Sequence, residues 1–597
     1  MRTAITHKAT TVKRLLPIGT MAAMMFAVAA QAATPGITGS PAAGSATAAS
    51  FNLNAVDAYT NQPDGNQVYS WGYGCTAAPA AAAFVPTAIA TAGAVPSCST
   101  MQIPGPTLVV TEGATVTVTL TNNLPIAAGN TSILFPGFTL TSTCPATQQG
   151  LLACEAVPRG TVTYTFVAST PGTRAYYSGT QGDLQVEMGL YGAIVVLPKA
   201  VPAACTTGLH ATNTTVEGLH GELDFRLASA AYDHPDTCYD REYLFQFSEM
   251  DLGVHRAALA QVNDPRRVTA CGSATAPTPN ASGCPLEVAT EPYHPNYFLI
   301  NGRSMPDLMD PNYDTPYPHQ PYNGNPHMHP GEVTLLRVIG QGRWEHPFHE
   351  HANHVRILAR DGNPIIANSL LSYTGTSPGA STATAVTAQA LAGMLMFTTD
   401  TFPGQAFDGL FYFTGKGLNW DLYAHNPTST DPLGLLSCTP DANGYNTVPT
   451  TGVGAINYFE WCQDHNKPLE NAPFGDVNSG GPMTLPNPNI LTNGAWYGGS
   501  PYLGPDATVR ADATLPGTNG QNGTASGCIA NGVAATSVSC TNLQPANTQA
   551  NPGNERGIAF MWHSHNEREI TTDNVFPGGM LMMMLVDSRE FAIDESK

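Results

Sequence analysis

Two stretches of this chain set histidines at alternate positions. One reads His346-Pro347-Phe348-His349-Glu350-His351-Ala352-Asn353-His354, and the other Trp562-His563-Ser564-His565-Asn566-Glu567-Arg568-Glu569. A β-strand turns successive side chains to opposite faces, so His-x-His places two imidazoles side by side on one face. Two such strands lying next to each other would converge His349, His351, His563 and His565. Neutral imidazole is the commonest metal ligand in proteins, and four nitrogen donors suit copper or zinc. His346, in the same stretch, is a further candidate ligand. Glu350, Glu567 and Glu569 offer a hard oxygen ligand, which would admit manganese, or a proton acceptor. A single His-x-His is more often a surface or hydrogen-bonded pair, but two of them inside apolar strand patterns read as a metal site. His327-Met328-His329 precedes a Pro-Gly turn and reads first as a strand end. The isolated histidines, among them His210, His255, His294 and His319, take the structural reading.

The elements that must carry these residues are strands. Thr107 to Val110 and Thr115 to Leu120 open the pattern, the second alternating strictly between hydroxyl and apolar residues. Val162 to Val167 alternates similarly, and Tyr191 to Leu197 reads as a buried strand. Residues 51–200 are thus expected to form a first β-sandwich or barrel, after a flexible lead-in at 34–50 rich in Ala, Gly, Ser and Thr. Residues 201–239 read as a linker. A second β domain is expected over 240–597, with strands at Glu242 to Phe247, Tyr297 to Ile300, Val333 to Val338, His354 to Leu358, Ile558 to Trp562 and Met580 to Val586. The Asn-, Gly-, Pro- and Thr-rich stretch 426–555 reads as an insertion into it.

Composition agrees with an all-β class. Of 597 residues only 11% are charged, while Gly (58) and Pro (49) are plentiful, which disfavours long solvated helices. The net charge of −20 argues against nucleic acid or an acidic membrane surface as a partner. Residues 1–33 read as an export signal: a basic start, an apolar run from Leu15 to Ala30, and Ala30-Gln31-Ala32 as a cleavage site. No later segment is long and apolar enough to span a bilayer. A secreted, periplasmic or cell-surface location follows. The twelve cysteines fit an oxidising compartment, and sequential pairing is the simplest expectation: Cys75/Cys98, Cys144/Cys154, Cys205/Cys238, Cys271/Cys284, Cys438/Cys462 and Cys528/Cys540.

The motifs together resemble those of the multicopper oxidases, which are built from cupredoxin domains. Ile103-Pro-Gly-Pro106 with Glu112-Gly113, and Gly189 to Val196, are similar to the family's first domain. Asn301-Gly302, Pro330-Gly331-Glu332, His346 to His351, Trp562 to His565 and Gly579-Met580 are similar to its copper-binding domain. The resemblance implies two cupredoxin-like Greek-key domains, copper as cofactor, a phenolic or metal-ion substrate, and, for two-domain chains, a homotrimer. It also exposes departures. Ser564 stands where the family has the cysteine thiolate of its blue copper, and Glu569 where it has a histidine. Met580 and His346 keep the identities of that copper's other ligands and, without the sulfur, are expected to act as core groups and groups behind the site. Leu134, Pro136, Tyr177 and Gly179 replace the four copper histidines of the first domain. What remains is a copper-binding, multicopper-oxidase-like protein with a reduced metal site of four histidines, acting as an oxidoreductase directly on a donor. The alternative is a non-catalytic extracellular protein that sequesters metal or serves as a structural part.

Overall fold

The computed structural model describes residues 33–40, 47–206, 223–329, 331–367, 390–413 and 557–587, with strand pieces at 370–374, 382–386, 499–502, 529–530 and 533–534 and positions 593 and 595. The expected leader, the Cys438/Cys462 and Cys528/Cys540 pairs, and nearly all of 426–555 lie outside the described residues.

The N-terminal part builds two five-stranded sheets. Their strands are β1 (Gly36–Thr38), β2 (Ala48–Asn61), β3 (Gln67–Cys75), β4 (Phe84–Val85), β5 (Leu108–Thr111), β6 (Thr115–Asn122), β7 (Thr141–Thr143), β8 (Thr161–Val167), β9 (Gly172–Tyr177) and β10 (Tyr191–Leu197). One sheet runs β4-β1-β5-β10-β9 and the other β3-β2-β6-β8-β7. In β6 the alternation does what the sequence implies: Val116, Val118 and Leu120 are fully buried while the threonines between them face outward. They join Phe51, Leu53, Trp71, Tyr73, Tyr164 and Ile194 in one core.

The lead-in is not flexible where it is described. β1 lies parallel to β5, with Ile37 opposite Leu108, and β2 begins parallel to β6, with Ala48 opposite Thr115. Small residues are there because neighbours come close. A β-carbon on Gly36 would sit 2.8 Å from both the Thr107 carbonyl oxygen and Val109 Cγ2. A helix also escaped the strand reading. α1 (Leu252–Val262) is capped by Asp251, whose carboxylate accepts from the amides of Gly253 and Val254. It carries His255, which is buried against the Tyr69 carbonyl at 2.6 Å, a structural role as expected.

The C-terminal part builds a second pair of sheets from β11 (Arg241–Met250), β12 (Tyr297–Ile300), β13 (His327–Met328), β14 (Val333–Gly340), β15 (His346–Glu350), β16 (Val355–Arg360), β17 (Thr398–Thr401), β18 (Ala406–Tyr412), β19 (Gly557–Ser564) and β20 (Leu581–Asp587). Their orders are β12-β11-β14-β18-β16 and β13-β20-β19-β15-β17. Phe245, Phe247, Phe348, Phe411, Trp562 and Met582 fill the space between. Every residue of β11 and β14 is buried, because one face lines this core and the other meets the first sandwich. That junction is made by Ala175, Ala193, Leu244, Ile339 and Ala406. Beside it Arg337 bonds Glu242 at 2.8 Å, and Asp408 accepts from the Thr173 hydroxyl at 2.6 Å and the Tyr232 hydroxyl at 2.5 Å. The fold is all-β in class, and among the described residues no helix is long and apolar enough to cross a membrane.

Four disulfides are formed among the described residues, each between the neighbours expected: Cys75–Cys98, Cys144–Cys154, Cys205–Cys238 and Cys271–Cys284. The Cys205–Cys238 bond closes the longest loop, with a sequence separation of 33. Chain entropy then predicts that the Cys205→Ser/Cys238→Ser variant loses about 4 kcal/mol of stability. Comparing denaturation midpoints of the variant and the wild-type protein checks this.

Candidate metal centre

Strands β15 and β19 are antiparallel neighbours, and their register sets His349 directly opposite His563. Alternation does the rest. His351 follows His349 and His565 follows His563 on the same face, while Phe348, Glu350, Trp562 and Ser564 point to the other. The four rings gather as the spacing implies. Ring centres lie 4.7 Å apart for His349 and His351, 5.4 Å for His349 and His563, 4.8 Å for His349 and His565, and 5.2 Å for His351 and His563. One ring nitrogen from each of His349, His351 and His563 falls within 4.8 Å of the other two. His565 completes the group from the solvent side, its backbone amide bonded to the Pro347 carbonyl at 2.8 Å.

Each of two rings is held by a group behind it. His563 Nδ1 is 2.7 Å from the Ser564 carbonyl oxygen. A carbonyl only accepts, so Nδ1 carries the proton and the Nε2 lone pair of the neutral ring turns toward the cluster. His349 Nδ1 is 2.7 Å from the Thr398 hydroxyl of β17. Burial, and then the facing imidazoles of His351, His563 and His565, push His349 down to about 3, and burial lowers His563 as well. Both rings are therefore neutral near pH 7, the form that binds metal.

The donor set fits copper or zinc. His351 Nε2 and His563 Nε2 lie 3.2 Å apart, close to the ~3.3 Å that separates two nitrogens bound tetrahedrally at about 2.05 Å. Manganese fits less well, since it prefers oxygen donors and two of the three candidate carboxylates are turned away. Glu350 lies on the core face, fully buried and bonded to the Thr399 hydroxyl at 3.0 Å, and burial pushes its carboxyl well above the usual carboxylate range. Glu569 is fully buried and bonded to His346. Glu567 is exposed and near enough for its charge to act on His563.

His346 does not join the cluster, and its position in the strand explains why. It precedes His349 by an odd number of residues, so β15 turns it to the core face. There its Nε2 lies 2.9 Å from Glu249 and its Nδ1 2.9 Å from Glu569, which occupies both nitrogens. Met580 is fully buried in the apolar core. A mononuclear thiolate copper site does not fit this place: Ser564 supplies a hydroxyl and no imidazole nitrogen is open. His327 lies in β13, at the far edge of the sheet from β15. At the first-domain positions, Leu134 and Tyr177 form an isolated bridge and Leu134 packs over Gly179, where a β-carbon would meet its side chain at 2.7 Å. Thr398 and Glu249 were not identified from sequence, because strand pairing and packing bring them from far along the chain.

Residues 97–201 match the multicopper oxidase family model, which bears out the resemblance over that part of the chain. Solved structures that align with it include a blue copper oxidase from Nitrosomonas europaea, 16% identical over 60% of this chain and 74% of that one, with a TM-score of 0.33. A copper nitrite reductase from the same organism is 16% identical over 61% of this chain and 85% of that one, with a TM-score of 0.33. The multicopper oxidase mgLAC is 16% identical over 60% and 74%, with a TM-score of 0.32. No curated protein matches the chain.

Proposed function

We propose that the chain is an exported copper-binding protein that holds a single metal centre on His349, His351 and His563, with His565 at its open side. The observation that carries this reading is the 3.2 Å approach of the His351 and His563 Nε2 atoms beside His349. Copper bound there would accept one electron at a time. The protein's own part is to present neutral rings, to orient them from the Thr398 hydroxyl and the Ser564 carbonyl, and to wall the centre off from the core with Phe348 and Trp562. With no thiolate at position 564 to pass electrons inward, an electron donor must dock at the exposed His565 rim. A phenol or a reduced metal ion is the substrate class proposed. Export is supported by the leader-like segment 1–33 and by the disulfides, which need an oxidising compartment.

Elemental analysis of purified protein, joined to an oxygen-consumption assay with a phenolic donor, tests this. The expected result is about one copper per chain with turnover, and no intense blue absorption after Cu(II) loading, because that colour needs a thiolate ligand. Copper without turnover assigns the centre to metal holding, zinc as the resident ion replaces copper in the reading, and no metal removes it.

A further inference from the structure

On the core face of β15 and β19, behind the imidazoles, lies a set of polar side chains that the metal centre does not use. The His346 ring stands between two carboxylates, Glu249 Oε2 and Glu569 Oε2, each at 2.9 Å, with all three side chains 0% exposed. Both carboxylates are filled with donors. Glu249 Oε1 accepts the amides of Arg343 at 2.6 Å and Trp344 at 2.9 Å, and the Tyr293 hydroxyl at 3.3 Å. Glu569 Oε1 accepts Asn566 Nδ2 at 2.8 Å, and its Oε2 accepts the Ser564 hydroxyl at 2.5 Å. A neutral imidazole has one N–H and would set its lone pair against one of the two anions. A doubly protonated ring donates to both.

We propose that Glu249, His346 and Glu569 form a metal-free, proton-held clamp that fixes the spacing of β15 and β19 and so positions the imidazole cluster. This rests on the reading of that cluster as a metal centre. The links are short. His346 lies three residues before His349 on one strand. On the other, Ser564 donates its hydroxyl to Glu569, which lies in the turn just past the strand, and the Ser564 carbonyl holds His563 Nδ1. Glu249, at the end of β11, ties β15 to the opposite sheet through His346. His346 is thus a positioning residue, and a bound proton supplies the positive charge where the family resemblance implies a second metal ion.

Nitrogen NMR of full-length protein with labelled histidine reads the clamp without any metal. At neutral pH both His346 ring nitrogens should be protonated, and they should remain so after loading with zinc as a diamagnetic probe. A singly protonated ring, or one whose signals move as a ligand's do, overturns the proposal. Zinc titration then compares wild type with His346→Gln and Glu569→Gln. Each variant should keep one metal per chain and bind it about 10- to 100-fold more weakly, the usual effect of losing a group behind a ligand. Loss of the metal equivalent in His346→Gln, or unchanged affinity in both variants, contradicts the clamp. A wild-type protein that binds no zinc or copper ends the reading of the cluster before any variant is compared, and the NMR result judges the clamp's charge separately.

Discussion

His563→Ala is expected to strip the protein of most of its bound metal. The ring sits at the centre of the site, opposite His349 in the register, with its Nε2 3.2 Å from His351 Nε2. Its tautomer is set by the Ser564 carbonyl, so the lone pair that the substitution removes is one already aimed at the ion. Loss of a direct ligand should exceed the ~10- to 100-fold that loss of an orienting partner costs. A fall of at least about 100-fold in affinity, roughly 2.7 kcal/mol or more, is the expected size. Metal content after dialysis against a weak chelator reads it. His294→Ala, at an exposed position outside the cluster, should leave metal content unchanged. Equal retention in both variants would remove the site. His565→Ala should have the smaller effect of the two cluster variants, since that ring is exposed and its nitrogens are not among the three that converge.

His346→Gln should produce a large loss of stability. It leaves the Glu249 and Glu569 carboxylates buried without the cation between them, and breaking a buried charge pair in this way costs about 3–5 kcal/mol. The same group gives stability a pH dependence. Burial alone would push the His346 ring down, but the hydrogen bonds and charges of Glu249 and Glu569 outweigh it and raise it to about 9. Ser564 and Tyr293 bond to these carboxylates through uncharged hydroxyls, Tyr293 also meeting Glu187, while Thr401 bonds the His346 carbonyl and the apolar Phe247 ring lies 6.3 Å from the imidazole. An exposed imidazole titrates near ~6.5, so the folded protein holds this proton more tightly than the unfolded chain does. The contribution is whole below about pH 6.5 and is lost as pH rises through 9, roughly 3 kcal/mol across that window. Wild type should therefore lose more denaturation midpoint than His346→Gln between about pH 6 and pH 9.5. Parallel pH profiles for the two proteins would show that the ring is not charged in the folded state.

The sequence was most legible where a strand's two-residue period met chemistry. His349, His351, His563 and His565 were placed by alternation alone, and the pairing of β15 with β19 brings them together. The same parity sets His346 apart, and the loss of the thiolate at position 564 already pointed to a place behind the site for that residue. Its partner Glu249 carried no such signal, being 97 positions away and brought near by the packing of opposed sheets. The strand from Thr115 was legible because its hydroxyls face outward, whereas Gly36 read as part of a flexible lead-in because close packing and flexibility both select small residues. The helix from Leu252 was hidden by a composition poor in charge, with only the Asp251 cap to announce it. The short-range disulfides were readable because each joins nearest cysteines.

A crystal soaked in copper and measured at the copper absorption edge shows where the ion binds. One anomalous peak is expected, between the imidazoles of His349, His351 and His563, with none beside His346 and Ser564. A peak at His346, or no ordered copper near the three converging nitrogens, would contradict the proposed centre.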